Sequence, residues 1–500
     1  MHQPNSTAEE HVVEEQPRPP AAVSLRTEFA VRAVAAGMLR QAWRALACVA
    51  FAVAVSMLLL TFSELRREAV WMTGIFLLAA ALWCSQAIPL FATSITVFAL
   101  MVICLANPGD WPGFGFADPA DDPSYTSILA VAANPVIFLF FGGFLLAHAI
   151  TKQGVDRVAA ARVLRPFAGK PRVALLAVMV VTAVMSMWMS NTAATALMIA
   201  LTAPMITRTD AGDPFRVALI LGVAFAANVG GMATPIGTPP NAVAVAALND
   251  AGITVSFLQW TAIGLPLMLA LLGLTWLVLA SAFRPGVDRL EMEAAGAPLD
   301  RKGWFVVLVF ALTVVGWLTT PVHGLSSGIV ALLPALALTA TGILNRNDVD
   351  TLEWDVLILI AGGIALGSGM QLAGLDAVVA GQLSAIPGAL LIAVLAVVTL
   401  VLSTFMSNTA AANLFLPIAI GLFAGSADTT PAITAAVCVA LSASIAMAMP
   451  MSTPPNAIAF STGHVTTRQM AVWGATIGGV GLAAIILGGN AVVRFWSSMF

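Results

Sequence analysis

Charge is scarce in this chain. Asp, Glu, Lys and Arg together make up 9% of its 500 residues, and the formal net charge is −3. So small a balance excludes a basic surface for nucleic acid, and it leaves too few charged side chains to solvate a soluble fold of this length. Cysteine is sparse as well. Cys48, Cys84, Cys104 and Cys438 lie in apolar stretches without metal-ligand spacing, which excludes a disulfide framework and marks them as core residues. No nucleophile with a base, metal cluster or phosphate-binding glycine loop stands out, so the chain does not read as an enzyme.

What is abundant is apolar sequence: 59% of residues, with a mean hydropathy of +0.94. That places the chain in the membrane. Residues 1–42 differ, carrying Glu9, Glu10, Glu14, Glu15, Pro17, Pro19 and Pro20 and no long apolar run. They read as a disordered or loosely helical cytoplasmic tail, because a signal peptide would have its apolar run earlier. Runs long enough to span are found at about 44–62, 70–87, 90–106, 127–150, 258–282, 303–320, 325–343, 355–372 and 471–493. Two more, 217–248 and 431–461, are interrupted near their middles, which gives about eleven crossings. Segments 173–206 and 388–423 are too long for one helix and have polar centres, so they read as re-entrant hairpins. With the tail inside, all lysines and arginines except Arg66, Arg67 and Arg494 fall on the cytoplasmic side. The fold class expected is therefore all-α and polytopic, in the bacterial inner membrane, with the N-terminus cytoplasmic and the C-terminus outside.

The polar interruptions come in pairs. Ser190-Asn191-Thr192 recurs as Ser407-Asn408-Thr409 at an offset of 217, and Thr238-Pro239-Pro240-Asn241 as Thr453-Pro454-Pro455-Asn456 at 215. Gly142-Gly143 and Gly362-Gly363 match at 220, and close helix packing is reason enough for such pairs. One hairpin enters from each side, as an inverted repeat requires.

The interiors of the spans carry no Asp, Glu, Lys or Arg. His148 and His464 lie near cytoplasmic ends and His323 in an outer turn, so a proton relay through the membrane is disfavoured. Hydroxyls, amides and freed backbone carbonyls at the tips suit a hard monovalent cation. Helix N-termini at the same tips suit an anion. A buried dianion with no arginine opposite it costs several kcal/mol in desolvation, so co-bound cations have to supply the missing positive charge. A channel would instead need a continuous polar stripe along several spans.

These paired motifs resemble those of the divalent anion:sodium symporter family over about residues 44–500. The resemblance implies a homodimer in membrane lipid that moves dicarboxylates, citrate or sulfate with sodium as the coupling ion and no other cofactor, its transport domain sliding as an elevator. Scaffold helices would occupy 43–150 and 283–372; the transport domain would hold 151–282 and 373–500. Carried over by position, one sodium site uses Ser186, Ser190, Asn191 and the backbone at Gly237. The other uses Ser403, the Met406 carbonyl, Asn408 and Ser452, where relatives have a small residue in place of serine. Substrate would meet Ser190, Asn191, Thr192, Thr238, Pro239, Ser407, Asn408, Thr409, Thr453 and Pro454. Threonine closing both triplets is what dicarboxylate carriers of this family show, so the resemblance implies a C4-dicarboxylate such as succinate, fumarate or malate, with sulfate or citrate as alternatives. Sodium-independent exchangers also belong to this family, but they need a fixed positive charge that these tips lack.

Overall fold

The structure is a computed structural model, and it describes residues 21–167, 169–207, 209–210, 212–286, 298–423 and 425–497. The first twenty residues of the expected tail, and Arg18, Arg208 and Arg289 of the charge bias, lie outside the described residues. Among the described residues the regular structure is helical, and nine helical stretches are long and apolar enough to cross a membrane. Further apolar helices are shorter, which is how a span interrupted near its centre presents itself.

The first half of the chain runs through α1 (Ala21–Phe62), α2 (Arg67–Ser85), α3 (Leu90–Met101), α4 (Tyr125–Ala130), α5 (Pro135–Lys152) and α6 (Val155–Leu164). It continues with α7 (Pro171–Ser186), α8 (Asn191–Thr207), α9 (Pro214–Gly230), α10 (Pro239–Asp250) and α11 (Phe257–Ala282). The second follows with α12 (Arg301–Leu318), α13 (Thr320–His323), α14 (Ser327–Ala340), α15 (Arg346–Asp350), α16 (Trp354–Leu372) and α17 (Leu375–Leu383). It ends with α18 (Gly388–Phe405), α19 (Asn408–Gly421), α20 (Thr430–Ser444), α21 (Pro454–Ser461) and α22 (Thr467–Ser497).

Two boundaries differ from those read in the sequence. Helix α1 starts at Ala21, inside the expected tail, because residues 21–42 are rich in alanine and free of proline. The stretch 127–150 is split at Asn134, whose side chain accepts from the Val136 amide and starts α5 ahead of Pro135.

Both long polar-centred segments fold back on themselves: α7 and α8 form one hairpin, α18 and α19 the other. The two interrupted spans are α9 with α10 and α20 with α21. Each repeat's broken helix packs on the other repeat's hairpin and broken helix, α21 against α8 and α9 and α10 against α19 and α20. This interlock forms the interior. The apolar window of α9 is 89% buried, against 28% in α12 and 17% in α18. Leu308, Leu312 and Val315 of α12 and Leu390, Val394 and Val397 of α18 are exposed apolar surface, as lipid-facing positions should be. Alongside, α5 packs on α14 and α16 on α3. The glycine pairs make those contacts. A Cβ at Gly142 would lie 2.1 Å from the Ala331 carbonyl oxygen, and one at Gly362 would lie 2.2 Å from the Ser94 Cβ.

Candidate functional site

Hairpin tips and helix breaks meet at one cavity of about 420 Å³. Ser190, Asn191, Thr192, Gly237, Thr238 and Pro239 line it from the first repeat, and Ser407, Asn408, Thr409, Ser452, Thr453 and Pro454 from the second. Helices α8, α10, α19 and α21 each begin among these residues, so four N-termini face one space. The cap residues hold them there. Ser190 accepts from the Ala193 amide at 3.4 Å, Ser407 from Ala410 at 3.3 Å and Thr453 from Asn456 at 3.3 Å. The positive ends of four helix dipoles then surround the cavity, an arrangement suited to an anion.

Behind each hairpin tip, neutral oxygens cluster around a fully buried serine, Ser186 in one repeat and Ser403 in the other. Ser186 Oγ is 2.7 Å from the Ala227 carbonyl and 2.5 Å from the Asn191 side-chain amide. The Asn191 amide also lies 3.2 Å from the carbonyls of Ala227 and Gly237; nitrogen inward, it donates to them, and oxygen inward, four oxygens face one point. In the second repeat, Ser403 Oγ is 2.9 Å from both the Ala443 carbonyl and Asn408 Oδ1. Hydroxyl, amide and carbonyl oxygens without a formal charge are the donor set a hard monovalent cation takes. Gly237 is required by space as much as by ligation, since its Cα–H side faces the Gly231 carbonyl oxygen with 2.4 Å available to a Cβ.

Two expected ligands are placed less simply. The Ser452 hydroxyl turns back to donate to the Met449 carbonyl at 2.7 Å, closing the turn of the second break. Met406 holds the second tip in extended backbone with its sulfur 3.6 Å from the Cys84 thiol, and Met406 and Ser403 lie behind the residues that line the cavity.

Three buried asparagines complete the site and are not among the residues picked out above as ligands. Asn241 Nδ2 donates to the carbonyls of Gly231, Met232 and Thr234 at 3.0, 3.2 and 2.8 Å. Asn456 Nδ2 does the same for Met447 and Met449 at 2.7 and 3.1 Å. The last letter of each Thr-Pro-Pro-Asn segment therefore satisfies the carbonyls that a broken helix exposes, which apolar surroundings otherwise make costly. Asn228 has no counterpart: offset 216 gives Ser444. Its Nδ2 reaches across to the second repeat, donating to Thr453 Oγ1 at 3.1 Å and Asn456 Oδ1 at 3.2 Å.

One expectation has to be corrected. The cavity is not free of ionisable side chains, because Glu353 and Asp355, at the start of α16, line it. Glu353 stands at the N-cap position of the helix without a side-chain cap bond and shares the cavity wall with Ser190. Burial pushes its carboxyl above the usual range, the nearby Ser190 hydroxyl draws it back, and the neighbouring charge of Asp355 pushes it further up. The sequence hides both carboxylates because Glu353 precedes the apolar run 355–372 and Asp355 is only its first residue. No Lys, Arg or His lines the cavity among the described residues. Nearby, Asp348 ties α15 to α5 through Lys152 Nζ at 2.5 Å and His148 Nε2 at 3.2 Å. Burial alone would raise that carboxyl, but the Asn345 amide, Lys152 and His148 outweigh it and hold it at about 2. A depressed pKa means the tie is intact at neutral pH and weakens only as pH falls toward 2.

Two membrane repeats whose hairpin tips and helix breaks close four helix N-termini around one cavity define a membrane transporter. The chain belongs to the citrate transporter (CitMHS) family, whose model matches residues 80–438 and 314–498, within the divalent anion:sodium symporters its motifs resemble. It is 29% identical to the sodium-dependent dicarboxylate transporter SdcS of Staphylococcus saprophyticus over 477 residues, 87% of this chain and 88% of that protein. It is 31% identical to the inorganic phosphate transporter PHO87 of Saccharomyces cerevisiae over 391 residues, 76% of this chain but only 42% of that longer protein. The crystal structure of the Alcanivorax borkumensis YdaH transporter shares the fold, with a TM-score of 0.53 at 14% identity, covering 84% of this chain and 98% of that one.

Proposed function

We propose that the protein imports a small divalent anion together with sodium, and that the anion is a C4-dicarboxylate such as succinate, fumarate or malate. The observation that carries this reading is the pairing at each tip of an anion-facing helix N-terminus with a neutral oxygen cluster one layer behind it. Without a basic side chain in the lining, cations are the remaining source of positive charge, so neither ion binds well alone. Sodium-independent exchange lacks that charge and is the weaker reading. The interlocked hairpins and broken helices form the moving body of an elevator, 151–282 with 373–500, against scaffold helices 43–150 and 283–372. The working unit is a homodimer in the inner membrane, with the N-terminus cytoplasmic.

Uptake of labelled succinate into proteoliposomes is expected to collapse when external sodium is replaced by potassium or choline. Uptake that persists at the sodium rate sinks the proposal. Ser190→Ala and Asn408→Ala are each expected to lower anion uptake and also raise the sodium concentration needed for half-maximal rate, by roughly tenfold for a lost ligand bond. A variant that kept the sodium dependence of the parent while losing only anion affinity would contradict the shared tip.

A further inference from the structure

Asn228 is fully buried in α9, lines the anion cavity, and is replaced by Ser444 in the other repeat. Its neighbours fix which way its amide points. Asn456 commits its own Nδ2 to the carbonyls of Met447 and Met449, so the oxygen it turns toward Asn228 can only accept. Asn228 therefore presents nitrogen, and the two hydrogens of that nitrogen have two partners, Asn456 Oδ1 at 3.2 Å and Thr453 Oγ1 at 3.1 Å. Thr453 Oγ1 also accepts from the backbone amide of Asn456 at 3.3 Å. Both lone pairs of that hydroxyl are then occupied, and what it has left to offer is its proton. The first repeat lacks this arrangement. Thr238 has nearly the same backbone as Thr453, φ −152° and ψ 142° against φ −142° and ψ 150°, yet its side chain makes no cap bond. Ser444, in the place of Asn228, donates to the Ala440 carbonyl of its own helix at 3.0 Å.

The geometry points to Asn228 as a positioning residue that makes the Thr453 hydroxyl a fixed donor toward the cavity, so that the second-repeat end of the site is committed to an oxyanion. This inference rests on the anion site proposed above and adds which end of it holds a carboxylate most firmly. A hydroxyl that already accepts two hydrogen bonds is a stronger donor than an unbonded one, because each bond polarises the next. It also has little rotational freedom left to lose when the anion arrives. Thr238, with no cap bond and no amide behind it, can turn its hydroxyl to donate or to accept, so the first-repeat end makes a weaker demand for charge. Asn228 Oδ1 is buried with no hydrogen-bond partner among the described residues. The amide is therefore not satisfied on its own account, and its contribution to the site comes through its nitrogen.

The test is a double-mutant cycle read as the Kd of labelled succinate on the purified full-length protein in sodium medium. Thr453→Val is expected to weaken binding about tenfold or more, the worth of one hydrogen bond to a charged group. Asn228→Leu leaves the hydroxyl but lets it turn, so roughly threefold to tenfold is expected. In the Thr453→Val background, Asn228→Leu should change the Kd by less than about twofold, whereas in the Thr238→Val background it keeps its full factor. An equal factor in the parent and in Thr453→Val would mean that Asn228 supports the fold without acting through Thr453, and overturns the inference. So does an Asn228→Leu variant that binds succinate as the parent does. Should that variant not fold, the two threonines are compared directly: Thr453→Val is expected to cost at least about threefold more than Thr238→Val, and equal costs reject the inference. Should sulfate or phosphate bind in place of succinate, the same cycle is read with that anion. If the parent binds none of the three in a sodium-dependent way, the anion site itself fails and this inference with it; sodium-dependent binding with an additive cycle removes this inference alone.

Discussion

Gly237→Val is expected to bring sodium-driven anion uptake to background while the protein still inserts and elutes as a single species in detergent. The Cβ it adds has 2.4 Å to the Gly231 carbonyl oxygen and 2.9 Å to the Gly231 Cα, and backbone cannot move aside as a flexible side chain can. Gly231 is equally confined, since its own Cβ would meet Asn191 Oδ1 at 2.6 Å and the Gly237 oxygen at 2.8 Å. Overpacking of this kind costs about 1–3 kcal/mol, which a large helical protein survives. What does not survive is the oxygen cluster of Ser186, Asn191, Ala227 and Gly237, whose spacing that strain must change. The decisive pair of measurements is proteoliposome uptake and the size-exclusion profile. Parent-level uptake by a well-folded variant would show that the first break takes no part in binding.

The second large effect concerns stability. Asn241→Leu is expected to destabilise the protein by roughly 3–5 kcal/mol, about 1–3 kcal/mol for the Gly231 carbonyl left without this donor and about 1 kcal/mol for each of the two other bonds lost. Gly231, Met232 and Thr234 all lose the amide at once; Met232 keeps the Trp260 Nε1 donor and Thr234 the Gly237 amide, both at 3.3 Å, but Asn241 is fully buried, so neither water nor lipid replaces it at Gly231. Asn456→Leu should act in the same direction at Met447 and Met449. It also removes the Asn456 oxygen that accepts from Asn228, so the contact between repeats weakens with it. Thermal unfolding in detergent reads both, and a midpoint unchanged in either variant would show that the amide is not what satisfies that break. The nearly isosteric Asn241→Asp should not rescue the fold, because a buried carboxylate accepts where a donor is needed.

Much of the site was legible because its residues are exceptions to their surroundings. A serine, asparagine or proline inside twenty apolar residues is visible in one dimension, and its recurrence about 217 residues later shows that it is not incidental. The hairpins follow from the same logic, since a polar triplet at the centre of a long apolar run needs a turn lined by protein. The final asparagines of the broken segments were visible too, but their work as donors to backbone carbonyls was not. The Ala227 and Ala443 carbonyls could not be found at all by residue type, because every residue has a carbonyl and only helix geometry says which ones point at Ser186 and Ser403.

The sequence by itself determined the class of architecture: which stretches are apolar enough to leave water, where they must break, and that the pattern occurs twice. Those properties are local, set by transfer free energy summed over about twenty neighbouring residues. Tertiary structure alone decided what faces the substrate. Glu353 stands 163 residues from Ser190 in the chain, at a helix start that hydropathy assigns to solvent, and only the folded arrangement of the start of α16 beside the first hairpin tip puts its carboxylate on the same cavity wall as that hydroxyl. Electrostatic energy depends on distance through space, and that distance is not written in sequence separation.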